Sequence, residues 1–151
     1  MGEWCNLGAG TNNSDLKNNY SNVRVTIGGE SVDTGHMFVG LTMGNHAKSG
    51  IGTSFNTGSV VGSFCNVFGG GLQPKAIPSF TWGGAEGLVT YEIEKAMAVA
   101  HLVMARRGVQ FGAIEEAVMR AVFERTAEER KKAGVKDVPV AAEALEPTGV
   151  P

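Results

Sequence analysis

The chain has 151 residues and a net charge of −2. The length predicts one domain, or one domain with an appendage, and the near-neutral charge favours neither nucleic acid nor an anionic membrane as a partner. The sequence contains no charged-then-apolar leader and no long apolar run, so we expect neither a signal peptide nor a membrane-spanning segment. Two cysteines at repeat positions, Cys5 and Cys65, predict reduced packing thiols in a cytoplasmic protein.

A six-residue period runs through residues 43–71. The first position of each six is mostly apolar, the second is often glycine, and the fifth is small. The first-position residues are Met43, Ser49, Phe55, Val61 and Val67, and the fifth-position residues are Ala47, Thr53, Ser59, Cys65 and Gly71. The same template fits residues 1–12. This period predicts an all-β solenoid, a parallel β-helix of hexapeptide repeats in which first-position side chains fill the interior.

The predicted β-helix covers residues 1–72, with an excursion loop at 12–22. Five of the eleven residues in that loop are asparagine, which favours irregular backbone over a regular element. Residues 23–27 alternate apolar and polar, as is typical of a short half-buried strand. The template is in phase again from Met37 and continues without interruption to about Leu72.

Residues 73–89 are predicted to form an extended strap, because two prolines and unperiodic aromatics end the repeat. Phe80 and Trp82 are expected to anchor this strap on another surface. A helical hairpin is predicted at 90–134, and residues 135–151 are expected to form a flexible tail.

Within the hairpin, the first helix has an apolar stripe of Ile93, Met97, Ala100 and Met104 and is expected to end at Gly108. A second helix is predicted at 113–125. Its inward face is expected to consist of Ile114, Ala117, Val118, Ala121 and Val122. Thr126 and Glu129 have the spacing of a capping box, which predicts a short third helix.

Charge is distributed unevenly along the chain. Residues 1–85 hold 8 of the 28 charged residues and 17 of the 22 glycines. A β-region with so few charges makes a poor solvent-facing surface on its own. We therefore expect copies of the chain to cover one another, and a triangular prism suggests a homotrimer.

Three successive segments resemble a known family. They are Asn6-Leu7-Gly8-Ala9-Gly10-Thr11, the loop ending in Asn19-Tyr20, and Val25-Thr26-Ile27-Gly28. It is similar to the acetyltransferase half of the bifunctional N-acetylglucosamine-1-phosphate uridylyltransferase/glucosamine-1-phosphate acetyltransferases. The run through Tyr20, the glycine-rich strap and the helical tail look most like a sugar nucleotidyltransferase-like branch of these enzymes. The resemblance extends to about Gly134.

The resemblance implies a left-handed parallel β-helix that forms trimers and binds acetyl-CoA between neighbouring coils. It implies cofactor contacts for Ala9, Asn19 and Tyr20. The expected activity is acetyl-CoA-dependent transfer to an amino-sugar phosphate, in nucleotide-sugar and cell-envelope synthesis. Asparagine side chains can donate and accept hydrogen bonds, which suits a sugar or a pantetheine amide, although the loop asparagines could equally satisfy turn backbone.

The sequence departs from the family pattern in three ways. Asn18 stands where the family has cysteine, and Ser21-Asn22 stand where it has Asp-Gly. No histidine precedes His36, whereas the family's catalytic histidine precedes the G-A-G-T segment. The chain also lacks the nucleotidyltransferase domain and looks like an isolated C-terminal portion. A non-catalytic trimerisation scaffold for that domain is therefore the alternative function.

Acyl transfer needs a general base, and histidine is the usual one because its pKa lies near neutral pH. His46, at the fourth position of a repeat, and His36, at a register slip, are the predicted catalytic candidates; each could instead be an interface histidine. His101 falls in the helical stripe and is expected to be structural. A zinc site shared between subunits is not expected, because His36 and His46 have no third ligand on the β-region.

Overall fold

The computed structural model of the chain describes residues 1–137. Short strands occupy the first ninety residues, and three helices follow. The strands are β1 Asn6–Leu7, β2 Asn12–Asn13, β3 Arg24–Ile27, β4 Glu30–Asp33, β5 Thr42–Met43, β6 Lys48–Ser49, β7 Ser54–Phe55, β8 Val60–Val61, β9 Asn66–Val67, β10 Ala76–Ile77, β11 Thr81–Gly84 and β12 Gly87–Thr90. The helices are α1 Ile93–Ala105, α2 Ala113–Arg125 and α3 Ala127–Lys132.

Most of these strands pair in parallel, in three sheets. The first sheet has the order β1-β6-β9-β11-β12, the second β10-β8-β5 and the third β2-β7. Strands β5 to β9 begin every six residues and visit the second, first and third sheets in rotation. Thr42 consequently pairs with Val60, and Lys48 pairs with Asn66. Every third strand therefore stacks on the strand that began 18 residues earlier.

The first positions of the six-residue period point into the space between the sheets. Met43, Ser49, Phe55, Val61 and Val67 are all buried. Four of the five small fifth-position residues, Ala47, Thr53, Ser59 and Cys65, are buried beside them. The hydrophobic cluster that results also contains Ile77, and Cys5 and Leu41 pack against it.

The segment between β2 and β5 leaves this parallel arrangement. The first two residues of the predicted excursion loop, Asn12 and Asn13, form β2 and still pair with β7, so the loop begins two residues later than predicted. β3 and β4 then form an antiparallel hairpin. Gly28 and Gly29 make its turn with φ of 58° and 82°, a conformation that glycine adopts without strain.

The predicted strap contains strands. β10 pairs in parallel with β8, and β11 pairs in parallel with β9, so both extend the preceding sheets. Ile77 and Phe80 have the same three-residue spacing as Val61 and Phe64, which places them in the same columns one layer further along. Trp82 packs edge-on against Phe68 and also contacts Tyr91. The parallel pairing therefore continues to Gly83, beyond the predicted end at residue 72.

The helices pack against one corner of the strand layers, beside Phe64 and Phe80. On α1 the predicted stripe faces inward, with Met97, Ala100 and Met104 buried. The predicted inward face of α2 is largely wrong: Ile114 and Val118 are 78% and 58% exposed, and Met119 is the buried residue, although Val122 packs against the core as predicted. Apolar residues lie on more than one side of α2, so its period did not specify which side would meet α1.

The predicted capping box of α3 does not form. Thr126 lies at the N-terminus of the helix, but its hydroxyl donates to the carbonyl of Val122 instead of capping α3. After α3 the chain returns to the sheets, where Lys136 forms a parallel bridge with Val89. Residues 138–151, which make up most of the predicted tail, lie outside the described residues.

Candidate functional site

The predicted site residues lie on turns that join strands of different sheets. We call the turns at 2–5, 44–47, 62–65 and 78–80, which lead into the first sheet, the ladder corner. The turns from the first sheet to the third, at 8–11 and 50–53, form the Ala9 corner. The segment between β2 and β5 forms the excursion corner. In the layer formed by β1 and β2, these three corners follow one another along the chain.

The ladder corner carries a column of stacked rings. His46 lies between Trp4, with ring centroids 6.1 Å apart, and Phe64, at 4.8 Å, and Phe64 stacks on Phe80 at 4.9 Å. All four residues have a left-handed backbone, with φ between 57° and 59°. This conformation is unfavourable for residues with a side chain, and ring stacking opposes that cost because centroid separations of 4.5–7 Å are favourable.

His46 is held as a neutral imidazole inside this column. Its side chain is buried, and its Nδ1 atom has no hydrogen-bond partner. Burial, together with the nearby positive charge of Lys48, lowers the pKa of His46 to about 4. The Lys48 ammonium donates a hydrogen bond to the His46 carbonyl at 3.0 Å. At neutral pH the imidazole can therefore accept a proton or a hydrogen bond, but as a weak base.

A cavity of about 400 Å³ separates the ladder corner from α2. Trp4, His46 and Phe64 form one wall, and Ile114 and Val118 form part of the other. Two carboxylates, Glu3 and Glu115, also line it, and Glu115 accepts a hydrogen bond from the Gly112 amide at 3.0 Å. The cavity is thus mostly apolar, and the His46 imidazole forms part of the wall opposite α2.

The Ala9 corner is open to solvent. Ala9 is exposed, and its carbonyl accepts a hydrogen bond from the Gly52 amide at 2.9 Å. Gly8 lies so close to the backbone of Gly50 and Ile51 that a Cβ atom would collide with it. The glycine therefore allows the two turns to stack closely, and the Ala9 methyl group remains accessible.

Asn19 and Tyr20 lie in the excursion corner. The Asn19 side-chain oxygen accepts hydrogen bonds from the Ser21 amide at 3.2 Å and the Ser21 hydroxyl at 2.9 Å. Tyr20 is 67% exposed, has a φ of 56°, and donates its amide to the Lys17 carbonyl. The loop is therefore ordered by local hydrogen bonds and projects the phenol into solvent.

His36 lies on the returning part of the same excursion. Its side chain is exposed, and its carbonyl accepts a hydrogen bond from the Val23 amide at 2.8 Å. The backbone of Thr34 to His36 is fixed by the Thr34 hydroxyl, which contacts both the Val23 and His36 carbonyls. His36 thus shares a corner with Asn19 and Tyr20, whereas His46 does not.

One chain does not bring all the predicted residues into one site. Ala9, His46 and the Asn19–Tyr20 pair lie at three different corners. Within residues 1–137, no hydrogen bond or ring contact links a site residue of one corner to a site residue of another. The predicted residues therefore form separate groups on one chain, and only His36 shares a corner with Asn19 and Tyr20.

The remaining titratable candidates have structural surroundings. His101 on α1 is exposed, with its ring 4.8 Å from that of Phe111. Burial raises the pKa of the Cys65 thiol to about 12, and that thiol donates to the Pro78 carbonyl. Within the described residues, histidine, cysteine and carboxylate side chains form no group of three that could hold a metal.

Sequence reasoning missed several of the residues that shape these surfaces. Trp4, Phe64 and Phe80 belong to the His46 column, and each occupies the fourth position of a six-residue unit. An aromatic or imidazole ring recurring at that position was a signal that could have predicted the ladder. Arg106 and Arg107 follow the end of α1, and they line a cavity with Lys48.

No protein-family model matches the chain, and no curated protein matches it. None of the helices in residues 1–137 is long and apolar enough to cross a membrane.

Proposed function

We propose that the chain is the acyltransferase part of a sugar nucleotidyltransferase-like protein. It would transfer an acetyl group from acetyl-CoA to an amino-sugar phosphate in the cytoplasm, for nucleotide-sugar and cell-envelope synthesis. The proposed architecture is a left-handed parallel β-helix of hexapeptide repeats followed by a helical hairpin. Two features support that architecture: strands that begin every six residues, and parallel partners 18 residues apart.

The main support for this proposal is that the two segments that carry the family resemblance are exposed on the surface. The Gly8–Thr11 turn is stacked against the Gly52 turn and leaves Ala9 exposed, and the excursion loop is ordered and leaves Tyr20 exposed. Rigid scaffolds that hold exposed polar loops are where binding residues are commonly found. Both segments are accessible to a ligand without any rearrangement of the strands.

The proposed site is shared between copies in a homotrimer. Ala9 of one copy would face Asn19 and Tyr20 of another, with acetyl-CoA held between them. Bound acetyl-CoA supplies the thioester that is the acyl donor. In the chain itself, Asn19 and Tyr20 would position the ligands, and His36 or His46 would accept the proton of the attacking amine. His36 is accessible in the same corner as Asn19, and His46 is neutral but buried.

A non-catalytic trimerisation scaffold is the second candidate. It is favoured by the separation of the predicted residues among three corners and by the low basicity of His46. A general base is most effective when its pKa is near the working pH, and a pKa of about 4 is well below it. In that case the β-region would organise a nucleotidyltransferase domain.

Calorimetric titration of acetyl-CoA, with the molecular mass measured by light scattering in the same buffer, tests both candidates. We expect saturable binding by a trimer, abolished in Asn19→Ala and retained in Asn22→Ala, a matched change in the same exposed loop. A trimer that binds no acetyl-CoA would reject the transferase function and favour the scaffold function. A monomer would contradict the shared site itself.

A further inference from the structure

A second cavity lies on the other side of Trp4 from α2, between the first residues of the chain and the C-terminal end of α1. Its volume is about 470 Å³, within the range of small-molecule sites. Trp4, Cys5 and Val103 supply its apolar surface, and Lys48, Arg106 and Arg107 supply three positive charges. None of these three cations was assigned a role in the proposed acyl transfer.

Among the described residues, no carboxylate neutralises these three positive charges. Within residues 1–137, the ion pairs involve Arg24, Lys95 and Arg120, and no carboxylate pairs with Lys48, Arg106 or Arg107. In the described part of the chain, the hydrogen bond from the Lys48 ammonium goes to a backbone carbonyl, that of His46. Three cations around one concave surface repel one another, and an anion placed among them removes that repulsion.

The chemistry of the lining residues selects a class of anion. Two adjacent guanidinium groups can each donate paired hydrogen bonds to phosphate oxygens, and an ammonium adds a point charge. The indole of Trp4 and the side chain of Val103 offer an apolar wall that an inorganic ion would leave unused. A ligand that fills about 470 Å³ is larger than phosphate alone.

We propose that this cavity binds a phosphate-bearing organic anion, with Lys48, Arg106 and Arg107 holding the phosphate and Trp4 contacting the organic part. Both ligands of the proposed function carry phosphate, and the choice of probes rests on that function. ADP, a nucleoside diphosphate, represents the cofactor, and glucosamine 1-phosphate represents the acceptor. The site is separate from the Ala9 and excursion corners.

Trp4 connects this cavity to the His46 column, since its ring stacks on the imidazole at a centroid distance of 6.1 Å. A ligand against the indole therefore changes the environment of a natural fluorophore. The second tryptophan, Trp82, contacts Phe68 and Tyr91 instead. A Trp82→Phe background consequently assigns a fluorescence change to Trp4.

The test is titration of ADP, glucosamine 1-phosphate and pyrophosphate into the full chain, followed by Trp4 fluorescence and by calorimetry. We expect saturable binding of at least one organic phosphate. The double variant Arg106→Gln/Arg107→Gln should weaken it by about tenfold or more, because hydrogen bonds to charged groups are lost. The double variant Lys131→Gln/Lys132→Gln removes the same charge from exposed positions on α3 and should bind as the unaltered chain does.

The outcomes separate the ligand sources and the two proposals. Tighter binding of ADP shows that the cavity prefers nucleotides, and tighter binding of glucosamine 1-phosphate shows that it prefers sugar phosphates. The inference is overturned if neither organic phosphate saturates, if pyrophosphate binds as tightly as both of them, or if the arginine and lysine double variants weaken binding equally. Circular dichroism checks that each variant is folded. If the double variant unfolds, the single variants Arg106→Gln and Arg107→Gln provide the test instead. Phosphate binding without acetyl-CoA binding would reject the proposed function alone.

Discussion

The backbone of His46 shows how a single position of the repeat is constrained. Trp4, Phe64 and Phe80 occupy equivalent positions in neighbouring layers, and all share its left-handed conformation. An aromatic side chain is therefore compatible with the site in both backbone and packing. What distinguishes His46 is a ring nitrogen that is buried without a partner. Its polarity is a cost to the fold that a phenyl ring would not have.

We predict that His46→Phe flattens the pH dependence of stability below neutrality. Because the pKa of His46 is about 4 when folded and 6.5 when unfolded, the unfolded chain binds the extra proton between these values. Stability should therefore fall as pH decreases from 6.5 towards 4, by up to about 3 kcal/mol, and be unaffected by this group above 6.5. The phenyl ring introduced by the substitution does not titrate, so this contribution disappears.

Urea denaturation at pH 4.5 and pH 7.5 measures this effect as the difference between the variant and the unaltered chain. Taking the difference removes the contribution of the carboxylates that also titrate in this range. His36→Gln, which removes an exposed imidazole, provides the matched control. Equal pH dependence in His46→Phe and the unaltered chain would contradict a neutral, buried imidazole.

At the scale of elements, the turns between strands depend on glycines that let layers approach closely. Gly62 is the best example, because a Cβ atom there would collide with the backbone amide and hydroxyl of Ser79 in the next layer. The Gly62 amide also donates a hydrogen bond to the Ile77 carbonyl at 2.8 Å. Neither group can move away without disturbing the pairing of β8 with β10.

We predict that Gly62→Ala destabilises the chain by about 1–3 kcal/mol, the usual cost of overpacking. Gly70→Ala is the control, since a Cβ atom there meets nothing within 4 Å. The control should change stability by no more than about 0.5 kcal/mol. Thermal and urea unfolding measure both. Equal stability of the two variants would mean that the strand layers are not stacked as closely as the structure has them.

The sequence predicted an element well where the periodic pattern of its apolar residues was strong. The six-residue pattern identified the buried Met43, Phe55 and Val61, because each such position faces the same interior. It missed the strands at 76–84, although Ile77 and Phe80 keep the spacing of Val61 and Phe64, because the prolines and the glycines before them broke the count. For α2, apolar residues on several sides left the choice to tertiary packing, and Met119 was buried in place of Ile114.

The candidate site was predictable only residue by residue. His46 was recognised as a fourth-position residue of the six-residue period, but its burial depends on rings from layers that are distant in sequence. The separation of Ala9, Asn19 and His46 among corners follows from the sheet to which each flanking strand belongs. The cavity at Lys48 could not be predicted, because it requires the end of α1 to lie beside residues 4–6. Long-range packing of this kind leaves no local pattern.

At the scale of the whole molecule, the helices and the strand layers share one hydrophobic cluster. Phe64 and Phe80 from the ladder corner pack with Met97 and Met104 of α1. Arg130 of α3 reinforces this junction although it belongs to a mostly charged helix. Its guanidinium is buried and donates to the Ser79 carbonyl at 3.2 Å and the Phe123 carbonyl at 2.8 Å. The same group lies 4.3 Å from the centre of the Phe123 ring.

We predict that Arg130→Met lowers the free energy of unfolding by about 2–4 kcal/mol. Methionine preserves much of the apolar contact but leaves the Ser79 carbonyl without its charged donor, and such hydrogen bonds contribute about 1.5–3 kcal/mol each. Because the cluster spans both parts, we expect one cooperative transition at a lower urea midpoint, with helical and tryptophan signals coincident. Arg125→Met, at an exposed position of α2, should be within about 0.5 kcal/mol of the unaltered chain. Separate transitions for the two signals in the unaltered chain would contradict the shared core, and an unchanged midpoint in Arg130→Met would contradict the role of its guanidinium at the junction.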